Sequence, residues 1–209
     1  MLRILIADDH TVVRKGLRQI LLDEFPGAVI EEVADGAELI KKALSAKWDV
    51  VVSDLSMPGR SGLEALQQIK LSHPDLPVLI LSIHPEEQYA LRALKSGASG
   101  YLSKDTAPDE LVKAVQKVLL GKKYISQAIA EKLANSFSSS NLEQPHESLS
   151  DREFDVMKLL ANGKSVSEIA DTLSLSVTTV STYRARVMTK MNLKSNPDLT
   201  KYAIEHNLL

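Results

Sequence analysis

The sequence contains no cysteine. Disulfides, a thiolate nucleophile and a cysteine-ligated metal are therefore excluded, and a reducing, cytoplasmic location fits. Long apolar runs are also missing: the uncharged stretches fall short of the ~18 residues that a membrane-spanning helix needs. Near the start, Arg3 is followed by four apolar residues and then Asp8, too short a stretch for the apolar core of a secretory leader. No internal repeat is visible. A strong overall charge is absent too, since the 209 residues sum to −2, with 44% hydrophobic and 25% charged residues. These values suit a soluble globular chain of one large or two small domains. One local absence is sharper. No acid occurs from Thr172 to Pro197, where Arg184, Arg186, Lys190 and Lys194 lie. Charge alone leaves open whether this is a basic solvated face or a phosphate-facing surface.

Residues 1–121 alternate short apolar runs with helical patterns. Ile4–Ala7, Val29–Val33, Val50–Ser53, Val78–Leu81 and Gly100–Leu102 read as strands, rich in Val, Ile and Leu with little alternation. Such runs suit strands covered on both faces. Between them, apolar residues recur at spacings of three and four, as in Val13, Leu17, Ile20 and Leu21, or Leu111, Val112, Val115 and Leu119. Each set lines one side of a helix. Five such β-then-α units predict a doubly wound α/β domain with a five-stranded parallel sheet and right-handed crossovers.

A further helix is expected over Gln127–Asn135. The serine-rich stretch Ser136–Ser148, with few large apolar residues, then reads as a flexible tether, so residues 122–148 form helix plus linker. From 149 to 209 every element reads as helical. Ser150-Asp-Arg-Glu153 and Ser165-Val-Ser-Glu168 match the capping box, Ser176 is a third N-cap, and Gly163 stands where a left-handed C-cap is wanted. Short helices with tight links predict a small all-α domain of helix-turn-helix geometry.

Asp8 and Asp9 directly follow the first predicted strand, and Asp54 ends the third. In an open parallel sheet the carboxyl ends of central strands form the binding crevice, so these acids should converge although 45 residues separate Asp9 from Asp54. Close carboxylates repel unless a cation neutralises them, and Mg²⁺ accepts a few protein oxygens plus waters and phosphate oxygens. Ser82 closes the fourth strand and Lys104 follows the fifth, at the same sheet edge. A hydroxyl and an ammonium opposite a metal–aspartate cluster can bind a phosphoryl group carried on that aspartate. The plainer alternatives are loop acids, helix caps and a lysine in an ion pair.

Asp8-Asp9, Asp54 in Asp-Leu-Ser-Met-Pro-Gly, Ser82 after Val-Leu-Ile-Leu, and Tyr101 with Lys104 in Gly-Tyr-Leu-Ser-Lys-Asp resemble the receiver domain of two-component response regulators. The resemblance covers residues 1–121 and implies a flavodoxin-like receiver. By that resemblance Asp54 is the phosphoacceptor, supplied by a sensor histidine kinase. Asp9, Asp54 and the main-chain carbonyl of Ser56 hold Mg²⁺ directly, Asp8 holds it through water, and Ser82 and Tyr101 form the switch pair. Slow self-phosphorylation and self-dephosphorylation are implied as well. Two positions depart from the common pattern: Ser82 stands where Thr is more frequent, and Asp105 where many receivers have Pro after the lysine.

Taking Val180 as the origin of a helical wheel places Tyr183, Val187 and Met191 on one stripe, read as core. Thr182, Ala185, Arg186 and Thr189 fall opposite. Short outward side chains allow a helix to enter the major groove closely. Leu149-Ser-Asp-Arg-Glu153, Leu159-Leu-Ala-Asn-Gly163, Glu168-Ile-Ala170, Thr179-Val-Ser181, Met191-Asn-Leu193 and Tyr202-Ala-Ile204 resemble the helix-turn-helix output domain of the LuxR/NarL/FixJ regulators. This resemblance implies a recognition helix over Val177–Met191, a dimer contact over Leu199–Asn207 and double-stranded promoter DNA as partner. Ser181 stands where many members carry a base-contacting lysine. Ser181, Thr182 and Arg186 are the base-facing candidates; Arg184, Lys190 and Lys194 are the phosphate candidates.

The expectation is a transcription regulator, not a conventional enzyme, whose phosphorylation favours a homodimer reading two half-sites, with no membrane partner. A dehalogenase-type phosphohydrolase also uses a strand-end Asp and Mg²⁺, but generally carries a second acid two residues later, where Ser56 stands. A third reading is a constitutive DNA-binding protein with the receiver as scaffold, against which the acid trio and Lys104 weigh.

Overall fold

The computed structural model describes residues 1–131 and 144–209. The chain divides into two compact units, Met1–Phe137 and Ser138–Leu209.

The first unit holds strands β1 (Arg3–Ala7), β2 (Val29–Val33), β3 (Val50–Asp54), β4 (Val78–Ser82) and β5 (Gly100–Ser103). They alternate with helices α1 (Thr11–Glu24), α2 (Gly36–Ser45), α3 (Gly62–Ser72), α4 (Glu86–Lys95) and α5 (Ala107–Leu119). The strands form one parallel sheet in the order β2-β1-β3-β4-β5, the doubly wound architecture expected. β3 and β4 are buried at every residue, which explains their unbroken apolar runs. Ile4, Ile6, Val50, Val52, Leu79 and Leu81 pack with Leu17 and Leu21 of α1 and Leu111 and Val115 of α5 in one core. Burying each such side chain contributes ~1.5–3 kcal/mol before the entropy cost of ordering it.

Two features hold the loops at the carboxyl edge of the sheet. Ser61 caps α3 in a reciprocal box with Glu64, and a Cβ added at Gly62 would lie 2.0 Å from the Asp54 carbonyl oxygen. Only glycine lets α3 start so close to the end of β3. After α5 the chain returns to bridge β5, Tyr124 N–H donating to the Ser99 carbonyl at 2.8 Å. Helical residues begin again at Gln127 and are described to Glu131. The remainder of the helix expected to Asn135, and of the tether up to residue 143, lies outside the described residues.

In the second unit, Pro145–Ser148 form one 3₁₀ turn within the stretch expected as tether. Helices α6 (Asp151–Ala161), α7 (Val166–Leu173), α8 (Val177–Lys190) and α9 (Asn196–Glu205) follow. Both capping boxes are present, at Ser150/Glu153 and Ser165/Glu168, and Ser176 caps α8 by accepting from Thr179 N–H. Gly163, at φ +81°, ends α6 as expected. The α7–α8 turn passes through Ser174 in the left-handed region, at φ 53°. Phe154, Met157 and Leu160 of α6, Ile169 of α7, Val180 and Val187 of α8, and Leu199 and Ala203 of α9 are buried. Among the described residues no helix is long and apolar enough to cross a membrane.

Candidate phosphoacceptor site and nucleic-acid face

Strand register assembles the acidic site. Ala7 of β1 pairs with Ser53 of β3, so Asp8 and Asp54, one residue on, come out side by side. Asp54 pairs with Leu81 of β4, and Ser82 with Ser103 of β5. Ser82 and Lys104 therefore emerge at the same edge, and Lys104 N–H donates to the Ser82 carbonyl at 2.9 Å. The Lys104 ammonium lies 2.7 Å from Asp8 Oδ2 and 2.8 Å from Asp54 Oδ2. Asp8, Asp54 and Ser82 are buried, whereas Asp9 keeps part of its carboxylate in solvent.

The charges do not balance. Three carboxylates gather here, and the one lysine contacts two of them, Asp8 and Asp54. Burial pushes the Asp54 carboxyl above its ordinary range, the Asp8 charge adds to that rise, and the hydrogen bond from Lys104 offsets only part of it. Burial alone would pull Lys104 down, yet hydrogen bonds to Asp54 and Asp8 hold it above its ordinary value. Ligand atoms of Asp8, Asp9, His10 and Asp54 lie within 4.8 Å of one another. Surplus negative charge on converging hard oxygen donors fits a divalent cation of the Mg²⁺ type.

His10 was not among the expected site residues. Its Nδ1 stands 2.6 Å from Asp9 Oδ1, and its backbone N–H donates to Asp8 Oδ1 at 2.8 Å. The one signal in the sequence was adjacency to Asp8-Asp9. His84, two residues after Ser82, ties the site together. Its backbone N–H donates to Ser82 Oγ at 2.9 Å, and its carbonyl accepts from the Tyr101 hydroxyl at 2.9 Å. Its Nε2 lies 3.0 Å from Ser56 Oγ, and its ring stacks on Tyr89 with centroids 4.8 Å apart. Ser56, Ser82 and Tyr101 thus meet at one residue. Ser56 N–H also donates to Asp54 Oδ1 at 3.3 Å. The Lys104–Asp105 peptide bond is trans, as are all the described peptide bonds.

In the helical unit, Val180, Val187 and Met191 are buried and Tyr183 is half-buried, which makes their stripe core. Ser181, Thr182, Arg186 and Lys194 are exposed. The other two cations are anchored within the unit. Arg184 donates through Nε and one Nη to Asn196 Oδ1 at 3.2 and 3.1 Å. Lys190 Nζ stands 2.7 Å from Glu153 Oε2 and 3.3 Å from the Ser148 carbonyl. Burial tends to raise the Glu153 carboxyl, but Lys190 and the Ser150 N–H outweigh it and hold it below its ordinary value.

A buried acid–lysine cluster at the carboxyl edge of a β2-β1-β3-β4-β5 sheet, carried on one chain with a helix-turn-helix unit, defines a response regulator with a DNA-binding output module. Residues 4–116 match the family described as response regulator receiver domain, and residues 147–203 match the bacterial regulatory proteins of the luxR family. The chain is 39% identical over 209 residues to the response regulator UvrY of Escherichia coli K12, spanning 100% of this chain and 96% of that protein. It is 40% identical over 216 residues to the oxygen regulatory protein NreC of Staphylococcus epidermidis, spanning 100% and 99%. Among solved structures, RcsB of Salmonella enterica serovar Typhimurium, bound to promoter rprA with the phosphomimetic BeF₃⁻, matches at TM-score 0.62 and 27% identity. That match covers 97% of this chain and 98% of RcsB. The chain belongs to the NarL/FixJ family of response regulators, with a receiver domain and a LuxR-type DNA-binding domain.

Proposed function

We propose that a sensor histidine kinase phosphorylates this cytoplasmic regulator on Asp54, and that the aspartyl phosphate drives homodimerisation and sequence-specific binding to promoter DNA. The observation that carries the reading is the half-buried Lys104 ammonium shared between the buried Asp8 and Asp54. It holds the acceptor carboxylate in place and offers a donor that can pass to a phosphoryl oxygen.

Asp8, Asp9, Asp54 and the main-chain carbonyl of Ser56 would hold Mg²⁺, which when bound offsets the charge of the incoming phosphoryl group. An Asp54 oxygen attacks phosphorus as the bond from phosphorus to the kinase imidazole nitrogen breaks, leaving an acyl phosphate on Asp54 and a free histidine on the kinase. Lys104 follows the new oxygens. Ser82 Oγ turns from accepting the His84 N–H to donating to the phosphoryl group. That releases His84, whose carbonyl holds Tyr101, and the face around α4, β5 and α5 repacks. The same pocket supports slow self-phosphorylation and self-dephosphorylation.

The output unit then presents α8 to the major groove, with two half-sites related by the two-fold axis of the dimer and α9 as a dimer contact. Ser181, Thr182 and Arg186 face base edges. Lys194 meets phosphate, as do Arg184 and Lys190 from the positions set by Asn196 and Glu153. RcsB is a fitting parallel, its dimers having been solved on DNA. The test is binding of the full chain to duplex DNA with and without acetyl phosphate. Wild type should gain affinity and mass as a dimer on phosphorylation, and Asp54→Asn should gain neither. An Asp54→Asn protein that responds as wild type does would overturn the proposal.

A further inference from the structure

The outward face of α8 carries four exposed hydroxyl residues, Thr178, Ser181, Thr182 and Thr189. Thr182 and Thr189 are exposed, yet their hydroxyls are spent on the helix itself. Thr182 Oγ1 donates to the Thr178 carbonyl at 3.0 Å, and Thr189 Oγ1 to the Ala185 carbonyl at 3.0 Å. Once the hydroxyl of a β-branched side chain is turned onto the preceding turn, its methyl remains as the group facing away. Ala185, exposed between them, has a methyl as its whole side chain. Opposite the buried Val180 and Val187, therefore, α8 presents the methyl groups of Thr182, Ala185 and Thr189 as a row, with the hydroxyl residues Thr178 and Ser181 beside it.

The major groove has one apolar landmark, the C5-methyl of thymine, which small apolar side chains read by contact. Helices that read purines do so with Arg, Lys, Asn or Gln; of these α8 carries two arginines and Lys190, which Glu153 holds, with Arg186 exposed beside the methyl row. Resting on the DNA-binding reading above, we infer that α8 selects half-sites by thymine methyl groups, with the Thr182 methyl as the specificity-determining contact and Ala185 extending it. Thr182 and Ala185 are separated by about 4.5 Å along the helix, close to the ~3.4 Å spacing of successive base pairs. They fall on neighbouring base pairs.

The experiment begins by selecting binding sites from a random duplex pool with the acetyl-phosphate-treated full chain. Each thymine in a selected site is then replaced singly by deoxyuridine, which removes the methyl and nothing else. Loss of a contact of this size should weaken binding about four-fold at one or two positions in each half-site, by the transfer free energy of one methylene. Thr182→Ser keeps the hydroxyl and its bond to Thr178, and should bind the thymine and uracil duplexes alike at one of those positions. Sites that are enriched but indifferent to uracil everywhere would overturn the inference while leaving DNA binding intact. Uracil sensitivity that survives Thr182→Ser at every position would overturn the assignment to Thr182. A pool in which nothing is enriched would overturn the DNA-binding reading itself, and this inference with it.

Discussion

Each unit contains a lysine against a buried carboxylate, at almost the same distance, and the two pairs behave in opposite ways. In the receiver, Lys104 lies 2.8 Å from Asp54; in the helical unit, Lys190 lies 2.7 Å from Glu153. Burial and the neighbouring Asp8 leave the Asp54 carboxyl raised, because its lysine is shared. Each carboxylate also accepts one backbone N–H, from Ser56 at Asp54 and from Ser150 at Glu153, but Glu153 shares Lys190 with no second carboxylate, and its carboxyl is lowered. A carboxylate that its surroundings under-compensate is poised to accept a cation and to exchange its lysine contact. One that is fully compensated is a fastener, here between α6, α8 and the turn at Ser148. On the proposed function, similar contacts thus serve phosphoryl transfer in one place and rigidity in the other.

The strongest break of this comparison is Asp54→Asn. Labelling by acetyl phosphate should fall at least 100-fold, whereas Glu153→Gln should leave labelling unchanged; phosphoprotein gel shift checks both. Next comes Lys104→Met, which leaves two buried carboxylates facing each other without their cation. Breaking a buried pair by removing one partner costs about 3 kcal/mol, measured by urea unfolding of the receiver unit in chelator. Added Mg²⁺ should restore part of that loss.

A pH series sharpens the contrast in sign. Since the Asp54 carboxyl is raised on folding, its contribution favours the folded state below its ordinary range and is lost as pH rises through the raised value. Without divalent cation, Asp54→Asn should therefore gain stability relative to wild type as pH rises from the acid range to neutral. Glu153 is lowered on folding, so its contribution is present above its ordinary value and lost as pH falls through the lowered one. The penalty of Glu153→Gln, about 1–2 kcal/mol near neutrality by loss of charge-assisted hydrogen bonds, should shrink on acidification. Equal slopes for the two variants would remove the distinction.

The smallest effect concerns the turn between α7 and α8. Ser174 adopts φ 53°, a conformation that costs a non-glycine residue roughly 1 kcal/mol. Ser174→Gly should stabilise the helical unit by about 0.5 kcal/mol once the greater freedom of unfolded glycine is deducted, read as a rise in its thermal midpoint.

How far the molecule is legible in its sequence depends on whether the interaction is periodic. Strands such as Val50–Asp54, buried on both sides, announce themselves by unbroken apolar runs, and local signals such as Ser150 with Glu153 mark helix starts. The convergence of Asp8, Asp9, Asp54, Ser82 and Lys104 follows from strand ends alone, since parallel register delivers them to one edge. Contacts made by docking leave no such trace. Lys190 reads as a free cation on the wheel of α8; only the packing of α6 against α8 brings it to Glu153, 37 residues earlier. His84 is likewise a hub through its backbone N–H and carbonyl, which no residue-type pattern encodes. His10 was hidden by its exposure, since a histidine after two acids has many ordinary uses.

The central claim is that carboxylates from separate strand ends form one cation-dependent phosphoryl acceptor at Asp54. Its most direct test is intact-mass analysis of the purified chain after acetyl phosphate treatment with Mg²⁺, followed by trapping of the acyl phosphate with hydroxylamine and peptide mapping. The account predicts a single phosphoryl adduct, located on Asp54 and abolished by chelator. An adduct of equal yield without divalent cation, or one located on another residue, would contradict it.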